Sequence, residues 1–199
     1  MEPGREVTRR PARGIRVLGI DPGLTRCGYG VVDIAPDRSA TLVTAGVIRT
    51  GADEALELRL LGIARGIDAV LDEFAPDRVA VERVFAQLNV RTVMGTAQAS
   101  GIALERAAAR GLPVGLHTPT EVKAAVTGFG QADKRQVGAM IARILRLEAA
   151  PKPADAADAV ALALTHGWRG SQAGPSPDGG PPATPTQRAW REAERAARR

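Results

Sequence analysis

Cys27 is the only cysteine in 199 residues. One thiol cannot close an intramolecular disulfide or supply a cysteine-clustered zinc site. Only two histidines are present, His117 and His166, which leaves little material for a histidine-rich metal centre. Aromatic residues make up 3% of the chain, and lysine occurs only at positions 123, 134 and 152, against 24 Arg and 36 Ala. A core so poor in rings must be built from Val, Leu, Ile and Ala. No apolar run approaches the roughly 18 residues needed to cross a bilayer. The opening M-E-P-G-R-E-V-T-R-R also lacks the apolar stretch of a secretory signal. The expected setting is the cytoplasm, with no membrane partner.

The net charge of +5 points toward nucleic acid, but most of it sits at the ends. Residues 1–14 carry four Arg and two Glu, and residues 171–199 carry five Arg against three acidic groups, +2 in each case. The remaining 18 basic and 17 acidic residues leave residues 15–170 at +1. Phosphate binding by that central part therefore requires local clustering of cations rather than a general field.

The chain divides into a flexible basic N-terminus (1–14), one folded domain (15–170) and a tail (171–199). The tail begins with five Pro and three Gly in the seventeen residues Ser171–Gln187, a composition expected to stay disordered. An Arg-rich stretch follows. Within the domain, R-V-L-G-I (16–20), Y-G-V-V-D (29–33) and 41–48 read as three strands in quick succession, an antiparallel meander. A helix is predicted over about 52–74, with Leu56, Leu60, Ile63, Ile67 and Leu71 at helical spacing. R-V-A-V-E (78–82) reads as a fourth, central strand. An Ala-rich helix over 89–110, a fifth strand over 113–117, and helices over 119–127, 133–147 and 155–168 complete the pattern. The order predicts an α/β fold, a mixed five-stranded sheet flanked by helices.

Acidic residues fall where a structural sequence would place something else. Asp21 ends the first strand in G-I-D-P-G, where it serves equally well to open a turn. Glu82 ends the fourth strand. A buried, uncompensated carboxylate there is expensive, so it must be exposed or neutralised. Asp155 and Asp158, in P-A-D-A-A-D-A-V-A-L-A-L-T-H, share one helix face a turn apart, although Asp is also favoured in a first turn by the helix dipole. Convergence of all four would make a hard-oxygen environment suited to Mg²⁺ or Mn²⁺. Two such ions about 3.5–4 Å apart can activate water and stabilise a leaving oxygen in phosphodiester cleavage.

Taken in order, L-G-I-D-P-G-L-T-R-C-G-Y-G-V-V-D, A-V-E-R-V-F, T-E-V-K-A-A-V-T-G-F-G-Q-A-D-K-R-Q-V and A-D-A-A-D-A-V-A-L-A-L-T-H resemble the RuvC family of bacterial Holliday junction resolvases, over about residues 15–168. The resemblance implies an RNase H-like fold and a homodimer that nicks two opposing strands of four-way junction DNA. It also implies a working partnership with the RuvA and RuvB branch-migration complex. By residue, it implies that Asp21, Glu82, Asp155 and Asp158 are catalytic carboxylates that bind metal, with two Mg²⁺ per subunit and Mn²⁺ as a substitute. It further implies that Phe85, Lys123 and Lys134 engage DNA.

Three other readings compete. D-P-G-L-T (21–25) fits the phosphate loop of actin-like ATPases, but those need a second lobe and about twice this length. A RuvC-like nuclease of ribosomal RNA processing shares the first Asp, whereas E-R-V-F, the two lysines and D-A-A-D favour the resolvase. A silent junction-binding module would not need all four carboxylates. Of the remaining residues, Cys27 reads as a small residue at the first hairpin, and both histidines read as structural, although His166 lies within two to three turns of the carboxylate face. The helix face Val93, Ala97, Gly101, Leu104 and Ala108 is expected either to pack on the sheet or to form part of a dimer interface.

Overall fold

A computed structural model of the chain describes residues 14–84 and 90–170. Five strands form one mixed sheet: β1 (Ile15–Asp21), β2 (Arg26–Ile34), β3 (Ala40–Arg49), β4 (Arg78–Glu82) and β5 (Val114–His117), in the order β3-β2-β1-β4-β5. The β3-β2-β1 half is antiparallel, as the three closely spaced strands predicted, while β4 and β5 run parallel to β1. The helices are α1 (Leu56–Phe74), α2 (Val90–Ala109), α3 (Pro119–Thr127), α4 (Lys134–Ile144) and α5 (Ala154–Gly170). None of the described helices is long and apolar enough to cross a membrane.

Alternation along β1 and β2 divides the core between the two faces of the sheet. Leu18, Ile20, Cys27 and Val31 pack with Ile63, Ile67 and Leu71 of α1 and Ala99, Ala103 and Ala107 of α2. Val17, Val32 and Ala80 pack on the other face with α3, α4 and α5, including Val122, Ile141, Val160 and Leu164. Both halves are aliphatic, as the shortage of aromatics requires.

Close approach sets the position of α5. A Cβ on Gly19 would stand 1.9 Å from the Ala159 carbonyl oxygen, and one on Gly28 would stand 2.2 Å from that of Asp155. Hydrogen is therefore the only side chain that fits at these two points. Ala156, Ala159 and Ala163 are fully buried. The run A-D-A-A-D-A-V-A-L-A thus places small side chains against the sheet and lets the helix axis come close.

Two helix boundaries differ from the sequence expectation. Helix α1 starts at Leu56 rather than near residue 52, because residues 52–54 form turns and Ala55 offers no capping side chain. Leu56 is left 42% exposed, so the apolar stripe meets the core only from Ile63 onward. Helix α4 ends at Ile144 instead of 147, and Arg146 takes a left-handed φ of 54° just beyond it. The starts of α3 and α4 are fixed by capping boxes, Thr118 with Glu121 and Asp133 with Gln136.

On α2, the face expected either to pack on the sheet or to form part of a dimer interface turns outward. Ala97, Gly101 and Ala108 are exposed and Val93 and Leu104 are half-buried, while Ala99, Ala103 and Ala107 meet the core. The four-residue spacing of that second alanine row gives the helix its sheet-facing stripe.

A buried ionic contact lies inside the fold. Arg16 Nε and Nη2 donate to Asp33 Oδ1 and Oδ2 at 2.7 and 2.8 Å, and Nη1 donates to the Phe74 carbonyl at 3.0 Å. This bidentate pair joins β1, β2 and the end of α1. Arg16→Met strands the Asp33 carboxylate and is expected to lower the unfolding free energy by about 3–5 kcal/mol in urea titrations. Arg16→Met/Asp33→Leu should recover most of that loss.

Candidate active site

Parallel pairing of β1 with β4 aligns Ile20 with Val81, so the next residues, Asp21 and Glu82, stand side by side at the same edge of the sheet. Ligand sites of α/β sheets lie beyond the carboxyl ends of their strands. The seating of α5 brings its first turn to that edge with Asp155 and Asp158. A cleft of about 380 Å³ is lined by all four carboxylates and by Lys123 of α3 and Lys134 of α4, with Val122, Val137 and Leu162 among its apolar wall residues.

Four acidic groups in one half-buried cleft repel one another, and the electrostatics show it. Burial first, then the charge and hydrogen bonding of Glu82, then Asp158 and Asp155, push the Asp21 carboxyl up to about 8. Burial also raises Glu82, against the hydrogen bond from Asp21 and the attraction of Lys134. Both carboxyls are raised above the usual carboxylate range, so the pair holds a proton between them. The other two carboxylates meet cations of the chain: Arg26 Nη2 donates to Asp155 Oδ2, and Lys134 Nζ donates to Asp158 Oδ2 at 3.3 Å. Asp158 raises the Lys134 ammonium pKa in return. Among the described residues, no three carboxylate, imidazole or thiol groups already surround one point as a ligand set.

The sequence profile described as crossover junction endodeoxyribonuclease RuvC matches residues 17–166. A crossover junction endodeoxyribonuclease RuvC of Leifsonia xyli is 61% identical over 196 residues, covering 93% of this chain and 94% of its own. Its counterpart in Thermobifida fusca is 70% identical over 157 residues, covering 79% of this chain and 86% of its own. Thermus thermophilus RuvC, solved in complex with Holliday junction substrate, superposes with a TM-score of 0.75 at 37% identity, covering 78% of this chain and 94% of that one.

The chain belongs to the RuvC family. Membership makes it one of a group of DNA-cleaving hydrolases and agrees with the mixed sheet of RNase H-like type. The match does not favour the ribosomal RNA nuclease reading.

Of the RuvC-type positions read from the sequence, Asp21, Glu82, Asp155, Asp158, Lys123 and Lys134 are brought together in one cleft. Phe85 lies outside the described residues. His166 is not near the carboxylates. Eight residues past Asp158 is about 12 Å along the helix, and its Nδ1 stands 3.0 Å from His117 Nε2 instead. A Cβ on Gly115 would stand 2.3 Å from the His166 ring. Burial lowers both imidazole pKa values, that of His166 to about 4, so the pair is neutral at pH 7. Cys27 lies in the first hairpin, as the second residue of β2, and is fully buried there, with its thiol pushed up to about 12 by burial. Sequence reasoning missed Arg26. Its only signal was that it lies five residues after Asp21 in the same motif, and its partner Asp155 is 129 residues away.

Asp21 keeps its proton in the fold up to about pH 8, whereas an unfolded Asp ionises near pH 3.9. The folded chain therefore binds more protons across that window, and stability falls as pH rises through it. In metal-free buffer the unfolding free energy should decline from about pH 5 to about pH 8, by at most ~1.4 kcal/mol per pH unit for one such group. Asp21→Asn should flatten that decline, as measured by urea titration across the range.

Proposed function

We propose that this protein is a Holliday junction resolvase, a homodimer that makes paired symmetric nicks in four-way DNA junctions by divalent-metal-dependent hydrolysis. The observation that carries this reading is the convergence of four carboxylates and two lysines on one cleft in a RuvC-family chain. The donor set contains oxygen only, which fits a hard divalent ion such as Mg²⁺, with Mn²⁺ able to substitute. Asp21, Glu82, Asp155 and Asp158 would hold two such ions per subunit, which supply an activated water and charge stabilisation at the leaving oxygen.

The chain's own groups do the rest. Asp21 gives up the proton it shares with Glu82, so that both oxygens become anionic donors. Lys134 leaves Asp158, and Lys123 lines the same cleft, so both ammonium groups are placed to hold phosphate oxygens. Val122, Val137 and Leu162 exclude water from one wall. Phe85, three residues after Glu82, would stack on an unpaired base, worth about 1–3 kcal/mol. A homodimer follows from the proposed substrate, since opposing strands need two matching sites. The exposed α2 face that includes Ala97 and Gly101 is the proposed part of its interface. RuvA and RuvB remain the proposed branch-migration partners, and the cytoplasm the proposed location.

Purified protein with Mg²⁺ should cut a four-way junction and spare a linear duplex of identical sequence. Equal cleavage of the two would overturn the junction reading. Asp21→Asn, Glu82→Gln, Asp155→Asn and Asp158→Asn should each abolish nicking while junction binding persists, because phosphate contacts and shape rather than metal hold the DNA.

Phe85→Ala should lose cleavage yet melt within a few degrees of the parent. A ring buried in the core would instead cost about 3–5 kcal/mol of stability.

A further inference from the structure

The antiparallel register of β2 and β3 places Arg26 directly opposite Arg49. Like charges facing each other across two strands are destabilising, so the pairing calls for an anion. Both side chains lie on the sheet face that carries α5. Their neighbours Cys27 and Ile48 point to the opposite face, into the α1–α2 core, and Arg26 itself reaches Asp155.

Register also fixes their height. Asp21 pairs with Gly28, so Arg26, two residues further along, projects about 7 Å past the end of β1. The order β3-β2-β1-β4 sets Arg49, Arg26, Asp21 and Glu82 in sequence along one rim, at strand intervals of about 5 Å. Lys123 and Lys134 reach the cleft from α3 and α4.

The backbone next to the two arginines is tied down. Thr50 Oγ1 donates to the Leu24 carbonyl at 2.6 Å, and Arg59 donates to Thr50 Oγ1 and Thr25 Oγ1 at 3.1 and 2.6 Å. Arg49 is exposed and, among the described residues, has no carboxylate partner. The side chain of Arg26 is 44% exposed, with Asp155 as its one anionic contact among the described residues.

We propose that Arg26 and Arg49 form a phosphate-binding subsite for the DNA backbone, on the side of the carboxylates away from α3 and α4. A strand crossing the rim is then gripped by lysines on one side of the scissile phosphate and by arginines on the other. Arg26 exchanges Asp155 for a phosphate oxygen as DNA enters, which also frees that carboxylate. The inference rests on the nuclease reading of the cleft but assigns residues that reading does not use.

The test is binding of a fluorescent four-way junction to the full-length protein in EDTA across a KCl series. Each phosphate contact contributes about 0.9 to the slope of log K against log[KCl]. Arg26→Gln and Arg49→Gln should each reduce the slope by about that amount, and the double variant by about twice as much. Arg49→Lys should keep the parental slope, because it keeps the charge. Arg65→Gln, which removes the same charge from the exposed surface of α1 on the other sheet face, should also leave it unchanged. Arg49→Gln breaks no hydrogen bond within the described fold, so it carries the test even if Arg26→Gln loosens the start of α5. Slopes equal to that of Arg65→Gln would overturn the subsite. Failure of the parent to prefer a junction, with the slopes still reduced, would sink the resolvase reading and leave the subsite standing for DNA in general.

Discussion

Contact between a helix backbone and a strand backbone with nothing larger than hydrogen between them sets the geometry of this protein. Gly19 and Gly28 remove the side chains that would hold α5 off the sheet, and the buried alanines of α5 do the same from the other side. The seam gives up the burial that large side chains would bring, roughly 1.5–3 kcal/mol for each Leu or Ile. In exchange it fixes height: the first turn of α5 lies level with the ends of β1 and β4. Asp155 and Asp158 can join Asp21 and Glu82 only at that distance. The bulk missing from the seam is regained to either side, where Val17, Val32, Leu162 and Leu164 are buried, and below it, where Arg16 holds Asp33.

The same proximity creates an electrostatic problem. Four carboxylates in a half-buried cleft cannot all be anionic without compensation. The chain answers locally, with a proton between Asp21 and Glu82, Lys134 on Asp158 and Arg26 on Asp155. Each of these is replaceable. The proton is held at about pH 8, close enough to neutrality to leave when a stronger positive charge arrives. The Lys134 side chain is largely exposed and that of Arg26 nearly half exposed, and both suit phosphate as well as carboxylate. A site neutralised this way keeps its fold without a ligand and loses little when one displaces the stand-ins.

How much of this was legible follows from range. Strands and helices marked by local alternation or helical spacing were read to within a few residues, and the order of three closely spaced strands gave their antiparallel pairing. The carboxylates were legible because each sits at the end of an apolar run, where a structural role is least economical. The outward turn of Leu56 was not, because periodicity reports which residues share a stripe and not where the stripe meets the core. The structural reading of both histidines was legible, but their pairing was not, because it joins β5 to α5 across 49 residues. Arg26 was invisible because its importance lies in a pairing with Asp155 across 129 residues and in a cross-strand register that no local pattern encodes.

Charge distribution then decides what kind of DNA contact the fold can make. Residues 15–170 carry a net charge of only +1, so the domain offers little long-range field to draw in a polyanion. Attraction must come from cations placed within a Debye length of the phosphates, about 8 Å at physiological ionic strength. On the proposed reading, ends of secondary structure supply them: Lys134 opens α4 behind a capping box, Lys123 lies one turn into α3 behind another, and Arg26 and Arg49 face each other across the paired β2 and β3. Backbone positions fixed in this way spare the ordering of whole segments on binding and reward only a phosphate path that matches theirs. Weak general attraction combined with fixed short-range contacts favours recognition by the shape of the DNA, which a nuclease selecting junctions over duplex requires.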